Sequence, residues 1–279
     1  MNALIKRNLK LYFRNRVGAV MSLLGALIAF FIYIGFLKEN LVQQWNDISH
    51  AKRILDAWMM GGILTIAQVT TAFGALGQLV NDRESNRYRD FEITSVSQSK
   101  LALSYFISTF LISFIMQIVA LIVMAVYFQL TDSLTISFRQ GIWLLLIAVL
   151  GTLVATVFCQ IIVEFIPSHI VFNRISAIIG TGIGFAIATY MPLGTLPKFG
   201  RHLVKVFPSS YIASSMRNIL IDNQIPQNIR SMLNEYLGVK MVISQHSLSL
   251  LQNLTLVAVM TFIGLSLLIF INKLKYKQY

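Results

Sequence analysis

Residues 101–131 read LALSYFISTFLISFIMQIVALIVMAVYFQLT and contain no Asp, Glu, Lys or Arg. A bilayer core about 30 Å thick is crossed by about 20 helical residues. This run is long enough to span it and to tilt or extend past the lipid. Polar and apolar residues do not alternate along it, which excludes a barrel strand. A helix satisfies its own backbone hydrogen bonds, as lipid demands. The same signature recurs at 17–37, 57–81, 140–163, 175–197 and 241–272, the last with its apolar part at 247–272. The expected fold is therefore all-α: a polytopic membrane protein with six transmembrane helices, forming a single membrane domain over 1–279.

Composition agrees. Of 279 residues, 56 % are apolar and 12 % charged, against roughly 45–50 % and about 25 % in soluble domains. Mean hydropathy is +0.69. A soluble globule is excluded, and so is disorder, which needs low hydrophobicity. Cys159 is the single cysteine, so no disulfide scaffold exists. The net charge of +12 is read by position, as basic residues beside membrane spans on lipid rather than on nucleic acid. The first run is too long for a signal peptide and lacks a cleavage site, so it reads as a retained anchor. The start of the chain carries Lys6, Arg7, Lys10, Arg14 and Arg16, and the end Lys273, Lys275 and Lys277, neither with an acid. Both termini are expected on the cytoplasmic side of a cell membrane. The full count is thirteen basic residues inside against ten outside, six of the ten lying between spans five and six.

The connecting segments are informative. In 1–16, Ile5, Leu9 and Tyr12 share one helical face, and Lys6, Arg7, Lys10 and Arg14 fall mainly on the other. This is an amphipathic interfacial helix, resting on anionic lipid or also touching a cytoplasmic partner. The loop 82–100 carries Arg83, Arg87, Arg89 and Lys100 against Asp82, Glu84, Asp90 and Glu92, with Tyr88, Phe91 and Ile93 interleaved. It reads either as a solvated charged turn or as a short helix docked in a protein groove. Residues 198–246 hold short external helices at the outer leaflet. Leu203, Val206 and Phe207 precede Pro208, and Ile212, Met216, Ile219 and Leu220 follow it. Pro226 suits a helix start and Gly238 a helix end, with Ile229, Met232, Leu233, Tyr236 and Leu237 on one face between them. Gly61, Thr65, Gln68, Ala72 and Ala75 share a face of span two, and Gly180, Gly184 and Ala188 a face of span five, with Ser176 and Thr181 nearby. These stripes are either close helix packing or the lining of a translocation path.

Enzyme constellations are missing. There is no phosphate loop and no nucleophile elbow. His50, His169, His202 and His246 are far apart, without metal-ligand spacing. No catalytic residue and no metal site is expected. Ser209 and Ser210 read as a helix start, and Cys159 as an apolar filler. Glu164, at the end of span four, needs a partner or water; it pairs with a nearby base or serves substrate or proton movement.

Four stretches carry a family resemblance: Ala3–Arg16; Val69–Glu84 with Asp90, Phe91 and 95–97; Ile178–Phe185 with Tyr190–Pro197; and Phe207–Pro208 with Arg217. In this order and spacing the chain resembles the membrane permease subunits of type 2 ABC transporters, exporters of drugs, antibiotics and bacterial glycopolymers. It departs from the family's pattern at Ser95 and Gln98. The resemblance implies a second permease, identical or paralogous, and separate ATP-binding subunits. ATP and magnesium would be held there, with no cofactor in this chain. It implies a coupling helix from Arg83 to Phe91 seated in the ATPase, with Arg83, Glu84, Arg87, Tyr88, Asp90 and Phe91 in contact. Spans two and five, with Thr65, Gln68, Ala72, Gly180 and Gly184, would line the path. The expected cargo is a hydrophobic drug, antibiotic or peptide-like molecule, the alternative a lipid-linked glycan. The rivals from other classes are an intramembrane enzyme, which would need acids or histidines clustered inside the spans, and a non-transporting scaffold, which would not need the mixed-charge loop.

Overall fold

Among the residues that the computed structural model describes (1–45, 48, 50–92, 97–221, 225, 227–243 and 246–276), six helices are long and apolar enough to cross a membrane: Leu24–Gln44, Ala51–Glu84, Gln98–Asp132, Phe138–Glu164, His169–Ala186 and Leu250–Leu274. Ile93, Ser95, Val96, Pro226 and Lys277 lie outside the described residues, as do the side chains of Arg89, Glu92 and Lys275. The protein is an all-α polytopic membrane protein; the strands among the described residues are the two-residue pair β1 (Val242–Ile243) and β2 (His246–Ser247).

The chain opens with α1 (Asn2–Arg14) and α2 (Arg16–Met21). The first span is α3 (Leu24–Ile32), a π-helical turn at Tyr33–Leu37, and α4 (Lys38–Gln44). It runs further along the chain than 17–37. The Asn15 side chain accepts from Gly18 N at 3.0 Å and starts a separate helix, and the Tyr12 and Ser22 hydroxyls meet at 2.5 Å where that helix stops. At the other end Lys38 does not break the helix, because its charge is matched. Its ammonium lies 3.0 Å from Asp56 and also contacts Asp132. Tyr33 donates to Asp56 at 2.7 Å. One lysine thus ties spans one, two and three together.

Span two, α5 (Ala51–Glu84), is the central element, with nearly nine-tenths of its apolar window buried. Lipid is as apolar as leucine, so close packing rather than water exclusion holds such a helix. Small residues provide it: Gly61, Gly62, Ala67 and Ala72 let neighbours approach. Its hydroxyls turn back on its own backbone, Thr65 to Gly61 O at 2.9 Å and Thr70 to Ile66 O at 3.1 Å, which removes their cost in an apolar setting.

After α6 (Arg87–Glu92), the third and fourth spans are α7 (Gln98–Asp132) and α8 (Phe138–Glu164). A capping box opens α8: Ser137 accepts from Gln140 N at 3.3 Å, and Gln140 accepts from Ser137 N at 2.9 Å. Span five, α9 (His169–Ala186), starts before 175 and stops eleven residues short of 197. Ala188 adopts a left-handed φ of 51° there and turns the chain into the core. The expected ridge residue Ala188 is therefore off the helix.

The outer segment folds as α10 (Lys198–Val206), α11 (Pro208–Ile221) and α12 (Arg230–Tyr236), before α13 (Leu250–Tyr276). Ile212, Met216, Ile219 and Leu220 of α11 are buried, while Phe199, Val206 and Phe207 are exposed. Gly238 follows α12 with φ +64°, the left-handed conformation that closes a helix. Met232 is exposed, so it is not on the packed face with Leu233 and Leu237.

Arg217 of α11 is fully buried against span two. It donates to Trp58 O (3.2 Å), Ala188 O (2.9 Å) and the Thr189 hydroxyl (3.4 Å), and it lies over the Trp58 ring. A side chain at Gly61 or Gly62 would collide with it. Burial pushes the Arg217 pKa down to about 9, so it remains charged at neutral pH.

Lys38→Met should strand the buried Asp56 carboxylate and cost about 3–5 kcal/mol. Thermal unfolding in mild detergent should show this, and adding Asp56→Asn should recover most of the loss.

Candidate functional site

At the end of the bundle that holds the N-terminus, three consecutive residues of α5 each grip a different element. The first is Asp82, whose side chain is fully buried. It accepts from Arg7 Nη1 and Nη2 at 2.7 and 2.9 Å, a forked pair. It also accepts from the Tyr105 hydroxyl at 2.6 Å and from Gln78, one turn earlier, at 2.8 Å. α1 is thereby fastened to spans two and three. Asn8 adds a bond to Ser108 at 3.2 Å. The hydrogen bonds to Asp82 raise the pKa of Arg7 above its ordinary value.

The second is Arg83. Its Nη2 donates to both oxygens of Glu164, at 2.9 and 2.8 Å, and so joins the ends of spans two and four. Glu164 pairs with a base, as its position at a span end requires. The third is Glu84, which accepts the backbone N–H of His169 at 3.0 Å. This places a carboxylate at the positive end of α9, where it is favoured.

α6 rests on this platform. The chain turns at Asn86, with φ 60°, and α6 then runs Arg87–Glu92. Arg83 and Glu84 therefore belong to the last turn of span two, not to a coupling helix running from 83 to 91. The guanidinium of Arg83 lies 5.5 Å from the centre of the Tyr88 ring, and that of Arg7 lies 5.4 Å from Phe91. Tyr88 also stacks on Tyr105, 6.1 Å between centres. The two aromatics, three residues apart, face the bundle, and Arg87 and Asp90 are exposed on the outside.

Lys6, Lys10 and Arg14 are exposed on α1, whereas Arg7 reaches inward. Three of the expected path residues are packed. Thr65, Gln68 and Ala72 are buried within the chain, Thr65 near Met216 and Gln68 where a side chain at Gly151 would strike it. A side chain at Gly184 would strike Tyr190, whereas one at Gly180 would meet open space. The sequence reading passed over Asp82, Tyr105 and Gln78 as site residues. A signal was available: an acid at the inner limit of an apolar run, with an amide four residues before it. Among the described residues no group of His, Cys, Asp and Glu is arranged to hold a metal ion.

Six apolar helices with a polar platform at one end define a multi-pass membrane protein. The sequence model of the ABC-2 type transporter family matches residues 1–221, most of the chain. The chain belongs to that family, the membrane component of transporters that associate with an ATP-binding subunit. No curated protein matches the chain.

The exchange Arg83→Glu with Glu164→Arg tests the second grip. Arg83→Glu alone places two carboxylates together and should lower stability by about 2 kcal/mol, discounted from a fully buried pair because Arg83 is partly exposed. The double variant should regain most of the melting temperature.

Proposed function

We propose that the chain is the permease of an ATP-driven exporter, with both termini cytoplasmic. One membrane domain would cover the whole chain and cross the bilayer at the six apolar helices. α6 would be the coupling helix, received in a cleft of a separate ATP-binding subunit that holds ATP and magnesium and does the hydrolysis. The observation that carries this reading is the two-sided character of α6: its aromatics are seated on the permease, and Arg87 and Asp90 point outward. A short helix with opposite charges on its free side suits recognition by a protein groove. In this reading Arg87 and Asp90 make the contact, flanked by Glu84, while Arg83, Tyr88 and Phe91 support it.

A second permease, identical or paralogous, would face the α9 side. The path would open along spans two and five by alternating access, exposing Thr65, Gln68, Ala72, Gly180 and Gly184. ATP binding must favour the outward-open state through contacts that differ between the two states. The cargo in this reading is a hydrophobic drug, antibiotic or peptide-like molecule.

A mild-detergent pull-down from the native host, followed by mass spectrometry, should recover an ATP-binding subunit in stoichiometric amount. Arg87→Glu combined with Asp90→Arg should abolish that recovery without lowering the melting temperature; unchanged recovery would remove α6 from the contact. Gly180→Leu should leave the chain folded, because the space beside Gly180 is open, but should reduce the paired form in light scattering.

A further inference from the structure

At the end of the bundle opposite the N-terminus, span one ends at Gln44, span two begins at Ala51 and span three ends at Asp132. A cavity of about 340 Å³ lies there, within the size range of small-ligand sites. Val42, Trp45 and Ile48 give it an apolar wall, and His50, Lys52, Arg53 and Asp132 line the rest. Lys52 and Arg53 are exposed. Arg53 Nε donates to the Asp132 carbonyl at 3.3 Å, which holds the side chain beside the cavity. Its terminal nitrogens and the Lys52 ammonium have no partner among the described residues. The Asp132 carboxylate is taken by Lys38, which Asp56 shares. The cavity and this cluster together hold Lys38, Lys52 and Arg53 against Asp56 and Asp132, a surplus of positive charge. The backbone adds to it. α5 starts here with no side-chain cap and no acid in its first turn. The positive end of a long helix therefore stands beside two basic side chains, an unfavourable arrangement until an anion joins it.

A bare anion would satisfy the charge and leave the apolar wall unused, whereas an anionic amphiphile uses both. The level in the membrane agrees, because the ends of three apolar helices lie where lipid headgroups lie. We propose that this cavity binds one anionic phospholipid of the leaflet opposite the N-terminus. Lys52 and Arg53 hold its phosphate, and Val42, Trp45 and Ile48 receive the glycerol and the first carbons of the chains. The bound lipid neutralises the start of span two and ties the turn between spans one and two to the end of span three. The site is separate from α6, which lies at the other end of the bundle.

The full chain in mild detergent is titrated with phosphatidylglycerol, and bound lipid is counted by native mass spectrometry. Phosphatidylcholine with the same chains and glycerol phosphate without chains are titrated in parallel. The wild type should hold one phosphatidylglycerol more tightly than either. Lys52→Gln with Arg53→Gln should bind it about thirtyfold more weakly, from about 1 kcal/mol per basic residue near an anionic lipid surface. Lys6→Gln with Lys10→Gln, an exposed basic pair at the opposite end, should leave that affinity unchanged. Lys52 and Arg53 are exposed, so their double variant should melt with the wild type in lipid-free detergent. Should it melt lower, Lys52→Gln alone carries the test, with binding about fivefold weaker. Unchanged phosphatidylglycerol binding in the Lys52 and Arg53 variants would overturn the proposal. So would phosphatidylcholine binding equally well, and so would glycerol phosphate binding as tightly as the lipid, which would make the cavity a free-anion site.

Discussion

Asp82 is an anion with no access to solvent, placed at the end of the most buried helix in the protein. Left alone it would cost several kcal/mol. Its four donors come from α1, from span three and from its own helix one turn back. The requirement that this one carboxylate be satisfied therefore fixes where three segments meet. With α1 and span three set against the end of span two, Arg83 and Glu84 are left facing spans four and five, and the floor beneath α6 is complete.

The far end of span two obeys the same rule with the signs reversed. There a single ammonium, Lys38, serves Asp56 and Asp132. Span two is thus bounded at both ends by ionic contacts to its neighbours, while its middle is a column of small residues and self-bonded threonines. Such a helix is fixed at its ends, and between them spans three and four add side-chain bonds to its backbone, from Ser113 to Gln68 O at 3.0 Å and from Cys159 to Val69 O at 3.7 Å. Arg217 adds a third fixed point, where the outer helices close over the Gly61–Gly62 gap.

Much of this was legible in the sequence, and the limits have physical causes. Residues 101–131 announce a span because nothing in them resists lipid. The same criterion ended span one at Lys38, because a search for uncharged runs cannot see that two carboxylates, from residues 18 and 94 positions away, meet that lysine. Span five was overextended since Ala188 and its neighbours are apolar enough to continue. What turns the chain there is the tertiary contact of Arg217 with Ala188 O and Thr189. The charged loop was recognised as special from its composition. Its aromatics were read as facing outward, because sequence alone does not show that Arg7, 84 residues before Phe91, supplies an inward partner.

The length of α5 has a consequence of its own. Its 34 residues, at about 1.5 Å each, make a rod about 51 Å long, well beyond the roughly 30 Å of hydrocarbon it crosses. A rod held at its base magnifies angle into travel: a tilt of about 5° at the inner end moves the outer end by about 4 Å over that length. Trp58 lies 24 residues from Asp82, about 36 Å along the rod, so the same tilt shifts it sideways by about 3 Å; because Lys38 and Arg217 also hold span two, the rod tilts only when those contacts travel with it or give way.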